Sequence, residues 1–274
     1  SAHRPHRLDH VAMTDYVKLE RQDPVATITL NRPDQRNAIS FQMWGELSQL
    51  LVKLDADRDV RAVIITGAGE EAFSAGADIS DFEEYRSDST KGLRYNNAVN
   101  GLLQTLDNMA TPTISMIRGF AVGGGCELAI ATDLRLAAEG SRFGIPVARL
   151  GISIGHREMR GLVSLVGKGN ALYILLSGRL VDALEAKDMG LVNQVLPPEQ
   201  LGETTYKLAK DIACLAPLSH RANKETLNQM IAKPSLDNLT PEEAGLPLAQ
   251  FDTLDYQEGY RAFLEKRRPQ FTGE

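Results

Sequence analysis

Two glycine-bearing stretches of this 274-residue chain place backbone N–H groups where a ligand can reach them. The first is Ala72-Phe73-Ser74-Ala75-Gly76-Ala77-Asp78-Ile79, beyond an apolar run that ends at Thr66. The second is Gly123-Gly124-Gly125, beyond a run that ends near Ile117, and it opens a helix with Glu127 in its first turn. Glycine at the mouth of a helix leaves donors unpaired and lets a ligand approach the backbone closely. The helix dipole adds attraction for negative charge. A phosphate cradle is one reading, but the Lys-Ser/Thr of a P-loop does not follow the glycines, and the spacing is not G-x-G-x-x-G. Close helix–strand packing is the competing reading.

Few other side chains carry chemistry by type and spacing. Glu127 reads either as a first-turn acid placed by the dipole or as a proton carrier. His156, five residues past Gly151, has the side chain suited to proton transfer near neutral pH; an exposed or capping histidine is the alternative. Glu158 reads as a solvated acid at the start of a helix over Glu158 to Val166, with a side chain facing a pocket the alternative. His3, His6, His10 and His220 show no ligand spacing, so no metal site is expected. Cys126 and Cys214 form no C-x-x-C or Cys/His pattern. Without a disulfide framework, an intracellular, cytoplasmic setting is expected, and Cys126 reads as a small core residue.

The elements that must hold these residues follow from periodicity. Val25 to Leu30 reads as a strand paired with Tyr16 to Glu20 through a polar turn. Ser40 caps a helix whose Trp44, Leu47, Leu51 and Leu54 share one stripe. Ala62 to Thr66 and Thr113 to Ile117 are buried strands, separated by a helix from about Lys91 to Met109. Leu134 to Ala137 is a further strand. Strand–helix–strand repetition argues for an α/β fold with right-handed crossovers. From about Leu201 onward helical patterns take over, with a boundary near Pro197-Pro198. The expected organisation is an N-terminal arm over 1–15, a core over 16–197 and a helical region over 198–274. The polar Ser80 to Lys91 stretch reads as a lid.

Composition bounds the partners. The chain is 43% hydrophobic and 24% charged with net charge −6, ordinary for a globular protein large enough to bury a core. The basic footprint of a nucleic-acid binder is missing, and no apolar run approaches a membrane span of about 20 residues. The segment from Ser1 to His10 is polar and lacks the apolar region of a secretory signal.

Six ordered pieces resemble the crotonase superfamily of enoyl-CoA hydratases and isomerases. They are Asn31-Arg32-Pro33 with Asn37-Ala38; Ala72 to Ile79; Gly119-Phe120-Ala121 with Gly123 to Leu128; Phe143-Gly144-Ile145-Pro146 with Leu150-Gly151; Ala186 to Asn193; and Phe263 to Arg267. The match runs from about Tyr16 to the C-terminus. It implies a crotonase-like spiral of ββα units with a helical C-terminal trimerisation region, assembled as a homotrimer or a dimer of trimers. It also implies an acyl-CoA thioester substrate, with coenzyme A part of that substrate and no prosthetic group. By motif position, the family's two oxyanion-hole N–H groups fall on Ala77 and Gly124, and its acid/base glutamate on Glu127. Coenzyme A contacts fall on Arg36, Ala38, Ala75, Asp78 and Ile79, with Phe263 and Lys266 reaching coenzyme A in a neighbouring subunit. For Asp78 a structural role, capping a helix, is the favoured alternative.

One position departs from the pattern. Hydratases of the family carry a second glutamate after the proline of Phe-Gly-x-Pro-Glu; here Val147 follows Pro146. The leading expectation is hydration of a 2-enoyl-CoA, with His156 a candidate to replace the missing acid. Alternatives are decarboxylation or hydrolysis of a branched or malonyl-type acyl-CoA, which also passes through a thioester enolate, and a non-catalytic CoA- or RNA-binding role. The acidic charge argues against RNA.

Overall fold

The computed structural model describes residues 14–274. All but the last two residues of the expected N-terminal arm lie outside the described residues, as do His3, His6 and His10.

β1 (Val17–Gln22) and β2 (Val25–Leu30) form an antiparallel hairpin, and α1 (Phe41–Asp55) crosses to β3 (Ala62–Gly67), which runs parallel to β2. A unit then repeats: one strand of a large sheet, one three-residue strand of a small sheet, and a helix. β3 is followed by β4 (Ala72–Ser74), the short α2 (Phe82–Tyr85) and α3 (Ser89–Asn108). β5 (Thr113–Ile117) is followed by β6 (Phe120–Val122) and α4 (Gly124–Ala131). β7 (Leu134–Ala138) is followed by β8 (Arg142–Gly144) and α5 (His156–Ser177). β9 (Val181–Asp182), α6 (Ala183–Asp188) and β10 (Gln194–Leu196) complete the two sheets. Their orders are β1-β2-β3-β5-β7-β10 and β4-β6-β8-β9. This is the expected spiral of ββα units. Each turn passes from the large sheet to the small one before its helix begins, so helix N-termini gather beyond the small sheet.

Side-chain patterning explains the layers. β3 is apolar on both faces and buried from Ala62 to Ile65, as a strand covered on both sides must be. The stripe Trp44, Leu47, Leu51 and Leu54 of α1 is buried, and Ser40 caps that helix by accepting a hydrogen bond from the Met43 N–H.

The chain turns helical with α7 (Pro198–Ala213), α8 (Pro217–Ala232), α9 (Pro241–Ala249) and α10 (Leu254–Leu264). Proline at the first turn starts α7, α8 and α9, where its missing N–H costs nothing. Leu201, Ala209 and Ala213 of α7 pack on Val25, Ala62, Ile64, Ile114 and Leu136. The helical region therefore begins as a layer of the core, covering the face of the large sheet that α1 leaves open.

Among the described residues no helix is long and apolar enough to cross a membrane.

Candidate active site

The loops after β2 and β4 lie side by side, and their pairing presents the first backbone donor. The Ile39 N–H donates to Gly76 O and the Asp78 N–H donates to Ile39 O, in a parallel bridge of Ile39 with Ala77. The Ala77 N–H, between these two bonds, has no backbone acceptor among the described residues and points the other way. The second donor is Gly124, the first residue of α4, whose N–H has no partner within its helix.

The two donors are neighbours because neither approach leaves room for a side chain. A Cβ on Gly124 would lie 3.4 Å from the Ala77 nitrogen and 3.1 Å from Cζ2 of Trp44; a Cβ on Gly76 would lie 3.2 Å from the Gly124 nitrogen and 2.7 Å from Val122 O. Gly76 also has φ of +104°, a conformation other residues adopt only with strain. Together these observations place two N–H groups where one carbonyl oxygen can accept from both.

They open into a pocket of about 280 Å³ whose lining includes Ala75, Ala77, Gly124, Glu127, Val147 and Glu158, closed by Trp44, Phe82, Arg86 and Tyr95. Glu127 sits one turn into α4, its N–H bonded to Gly123 O. Its pKa is pushed up to about 7, by burial first and by the charge of Glu158 second, against the opposing charge of Arg86. Burial thus outweighs the helix N-terminus, which favours the ionised form. The far end of α4 is fixed by Arg135, 3% exposed, whose guanidinium donates to Thr132 O and Leu191 O. Tyr95 accepts from the Trp44 indole N–H at 2.9 Å, and burial pushes its phenol up to about 12.

The second carboxylate of the pocket is a correction. Glu158 was expected to be solvated; it is 9% exposed, and its Oε2 is buried without a hydrogen-bond partner among the described residues. His156 was the expected substitute for the missing acid, yet it is exposed and does not line the pocket. The reason is helical geometry: residues two apart on α5 point about 200° apart. A sequence signal for Glu158 did exist. It stands four and eight residues before Leu162 and Val166, on the buried stripe of α5.

Of the residues expected at coenzyme A, Arg36, Ala75 and Ile79 come together at the pocket edge, with Ala38 two residues beyond Arg36 on the same loop. The Ala75 N–H donates to Arg36 O, and Ala75 and Ile79 line the pocket. Arg36 is exposed, lies over the Phe120 ring and pairs with Glu71 at 2.6 Å. Asp78 takes the structural role favoured for it, capping the short helix that follows: its Oδ1 accepts the Ser80 N–H and hydroxyl, and its Oδ2 pairs with Arg32 at 2.7 Å. Burial opposes its ionisation, but the Ser80 and Arg32 hydrogen bonds win and hold the carboxyl below the usual range. Phe263 and Lys266 are exposed and do not line this pocket.

Sequence reasoning missed Phe82 and Arg86. The stretch read as a lid folds as α2 against the pocket, with Tyr85 stacked on Phe41 and the Phe41 N–H bonded to Asp81. Cys126 is buried, with its thiol pushed up to about 12 by burial, unsuited to nucleophilic work. A larger cleft of about 680 Å³, between α3, α5 and α8, contains none of the residues discussed for catalysis.

Neighbouring backbone donors beside a buried carboxylate can stabilise a developing oxyanion. The chain is 35% identical over 252 residues to a short-chain-enoyl-CoA hydratase of Clostridium acetobutylicum, covering 92% of this chain and 95% of that one. It is 34% identical to a crotonyl-CoA hydratase of Syntrophomonas wolfei, covering 92% and 96%. A crystal structure described as an enoyl-CoA hydratase/carnithine racemase from Magnetospirillum magneticum superposes with a TM-score of 0.91 at 36% identity, covering 96% of this chain and 97% of that one. The enoyl-CoA hydratase/isomerase family model matches residues 20–274, and with the fold and the paired donors agreeing, the chain belongs to that family.

Proposed function

We propose that the protein adds water across the α,β double bond of a 2-enoyl-CoA. The observation that carries this reading is the adjacency of the Ala77 and Gly124 N–H groups to the raised carboxyl of Glu127 in one pocket. The thioester oxygen accepts from both N–H groups, so attack at Cβ builds negative charge where donors already point. Removing one such donor in other enzymes costs about 10²–10³ in rate. Glu127 takes a proton from water as its oxygen bonds to Cβ, and its poise near neutral pH suits a general base. Arg36, Ala38, Ala75 and Ile79 form the rim along which the coenzyme A moiety lies.

The exposed apolar side chains Leu227, Met230, Leu248, Phe251, Leu254 and Phe263 of the C-terminal region support self-association, in keeping with a trimer that brings Phe263 and Lys266 to a neighbour's site.

The test is incubation of the purified protein with crotonyl-CoA in ¹⁸O-water. 3-Hydroxybutyryl-CoA carrying the label at Cβ is the expected product. Absence of that product, with free coenzyme A or carbon dioxide released from malonyl-type thioesters, would favour the hydrolase or decarboxylase reading.

A further inference from the structure

We propose that Glu158 is the second proton carrier of this site, acting from the first turn of α5 in place of the acid that Val147 cannot supply. This rests on the enolate chemistry proposed above. Four observations bear on it. Glu158 lines the same pocket as Ala77, Gly124 and Glu127. It is 9% exposed, and Oε2 has no partner among the described residues. Its carboxylate folds back over Gly155, the residue preceding α5, where a Cβ would lie 2.6 Å from Oε2; only glycine there lets the side chain take this course. Among the described residues it has no ion pair: Arg157 is held by Asp107 at 2.6 Å, and Arg86 lies over the Phe82 and Tyr95 rings.

A buried carboxyl with an unmet oxygen lowers stability. A structural role would show hydrogen bonds to the fold, as Glu46 does with Thr14 and Gln42. Glu158, on the pocket wall, leaves Oε2 without such a bond among the described residues. Val147, at the family's usual position, also lines that pocket, so one wall offers a methyl-lined surface and the adjoining one a carboxyl.

The proton balance closes with two carboxyls. Ionised Glu127 takes a proton from water while the water oxygen bonds to Cβ, and the π electrons move onto the thioester oxygen between Ala77 and Gly124. That proton passes through water to Glu158, which gives it to Cα as the enolate electrons return to form the C–H bond. The sum is addition of H and OH, with no other reactant.

The experiment compares wild type, Glu158→Gln, Glu158→Asp and the double variant Val147→Glu/Glu158→Gln in two assays: hydration of crotonyl-CoA, and exchange of the α protons of butyryl-CoA in deuterium oxide. Acetoacetyl-CoA affinity and circular dichroism report whether each variant is folded. Glu158→Gln should keep fold and affinity while kcat falls about 10²–10⁴-fold in hydration, with exchange lost alongside. Glu158→Asp should retain part of the rate, and a carboxyl returned at position 147 should restore about tenfold or more over Glu158→Gln. A folded Glu158→Gln that hydrates and exchanges at near wild-type rate overturns the proposal. If wild type exchanges α protons but does not hydrate, the hydratase reading fails, and Glu158 is judged on exchange alone: loss in Glu158→Gln upholds it and retention overturns it. A wild type inert in both assays overturns both.

Discussion

Glu158 and Glu127 line one pocket so closely that the charge of one raises the pKa of the other. Burial is the larger cause, and together they lift Glu127 to about 7. The rate of hydration should therefore rise with pH through about 7 as Glu127 ionises. A pH profile of kcat/KM on crotonyl-CoA checks this; a flat profile between pH 5 and 8 would remove Glu127 as the base.

Arg86 is the cation that opposes this rise. Its guanidinium lies 4.5 Å from the centre of the Phe82 ring and 4.7 Å from that of Tyr95, and it has no ion pair among the described residues. Arg86→Met keeps an apolar stem against the rings and removes the charge. The ionised form of Glu127 loses support, so the acid limb of the profile should move to higher pH by about 0.5–1 unit. Glu158 and Tyr95 remain in place to define the rest of the local field. A limb that stays put or moves down would contradict the assignment.

Gly76 holds the first donor in register. Its φ is +104°, and an added Cβ would meet Val122 O at 2.7 Å. Gly76→Ala should cost about 1–3 kcal/mol in strain and displace the Ala77 N–H, lowering kcat about 10²-fold with less effect on KM. Denaturant melts and steady-state kinetics on the same preparation read both effects.

The raised pKa of Glu127 also has a sign in stability. Its ordinary value is 4.5 and its folded value about 7, so the folded state binds the proton more tightly than the unfolded state does. Stability from this group is fully present below about 4.5, declines as pH rises and is lost above about 7. Glu127→Gln should therefore stabilise the fold at pH 8 by about 1–3 kcal/mol and change little at pH 4. Urea unfolding at the two pH values measures the difference.

The chemistry was more legible in the sequence than its completion. Buried runs such as Ala62 to Thr66 and the stripe of Trp44, Leu47, Leu51 and Leu54 are long enough for periodicity to reveal them, and they became β3 and α1. Three strands of the small sheet, Ala72–Ser74, Phe120–Val122 and Arg142–Gly144, have three residues each, too short to show any alternation. They were visible only as glycine-bearing motifs. Glu127 was marked by its place after Gly124. Glu158 was hidden because an acid in the first turn of a helix is favoured by the dipole anywhere on the surface. Only its phase with Leu162 and Val166 separates it from such an acid, and the same phase carries His156 away from the pocket. The Asp78 ion pair with Arg32 joins loops 46 residues apart in sequence and has no local signature.

Turnover of crotonyl-CoA by wild type beside Glu127→Gln measures the part Glu127 plays in hydration, with acetoacetyl-CoA binding as the control for an intact site. Wild type should give 3-hydroxybutyryl-CoA, and the variant should lose about 10²–10⁴-fold in kcat at unchanged affinity. Equal rates from the two proteins would contradict that role for Glu127.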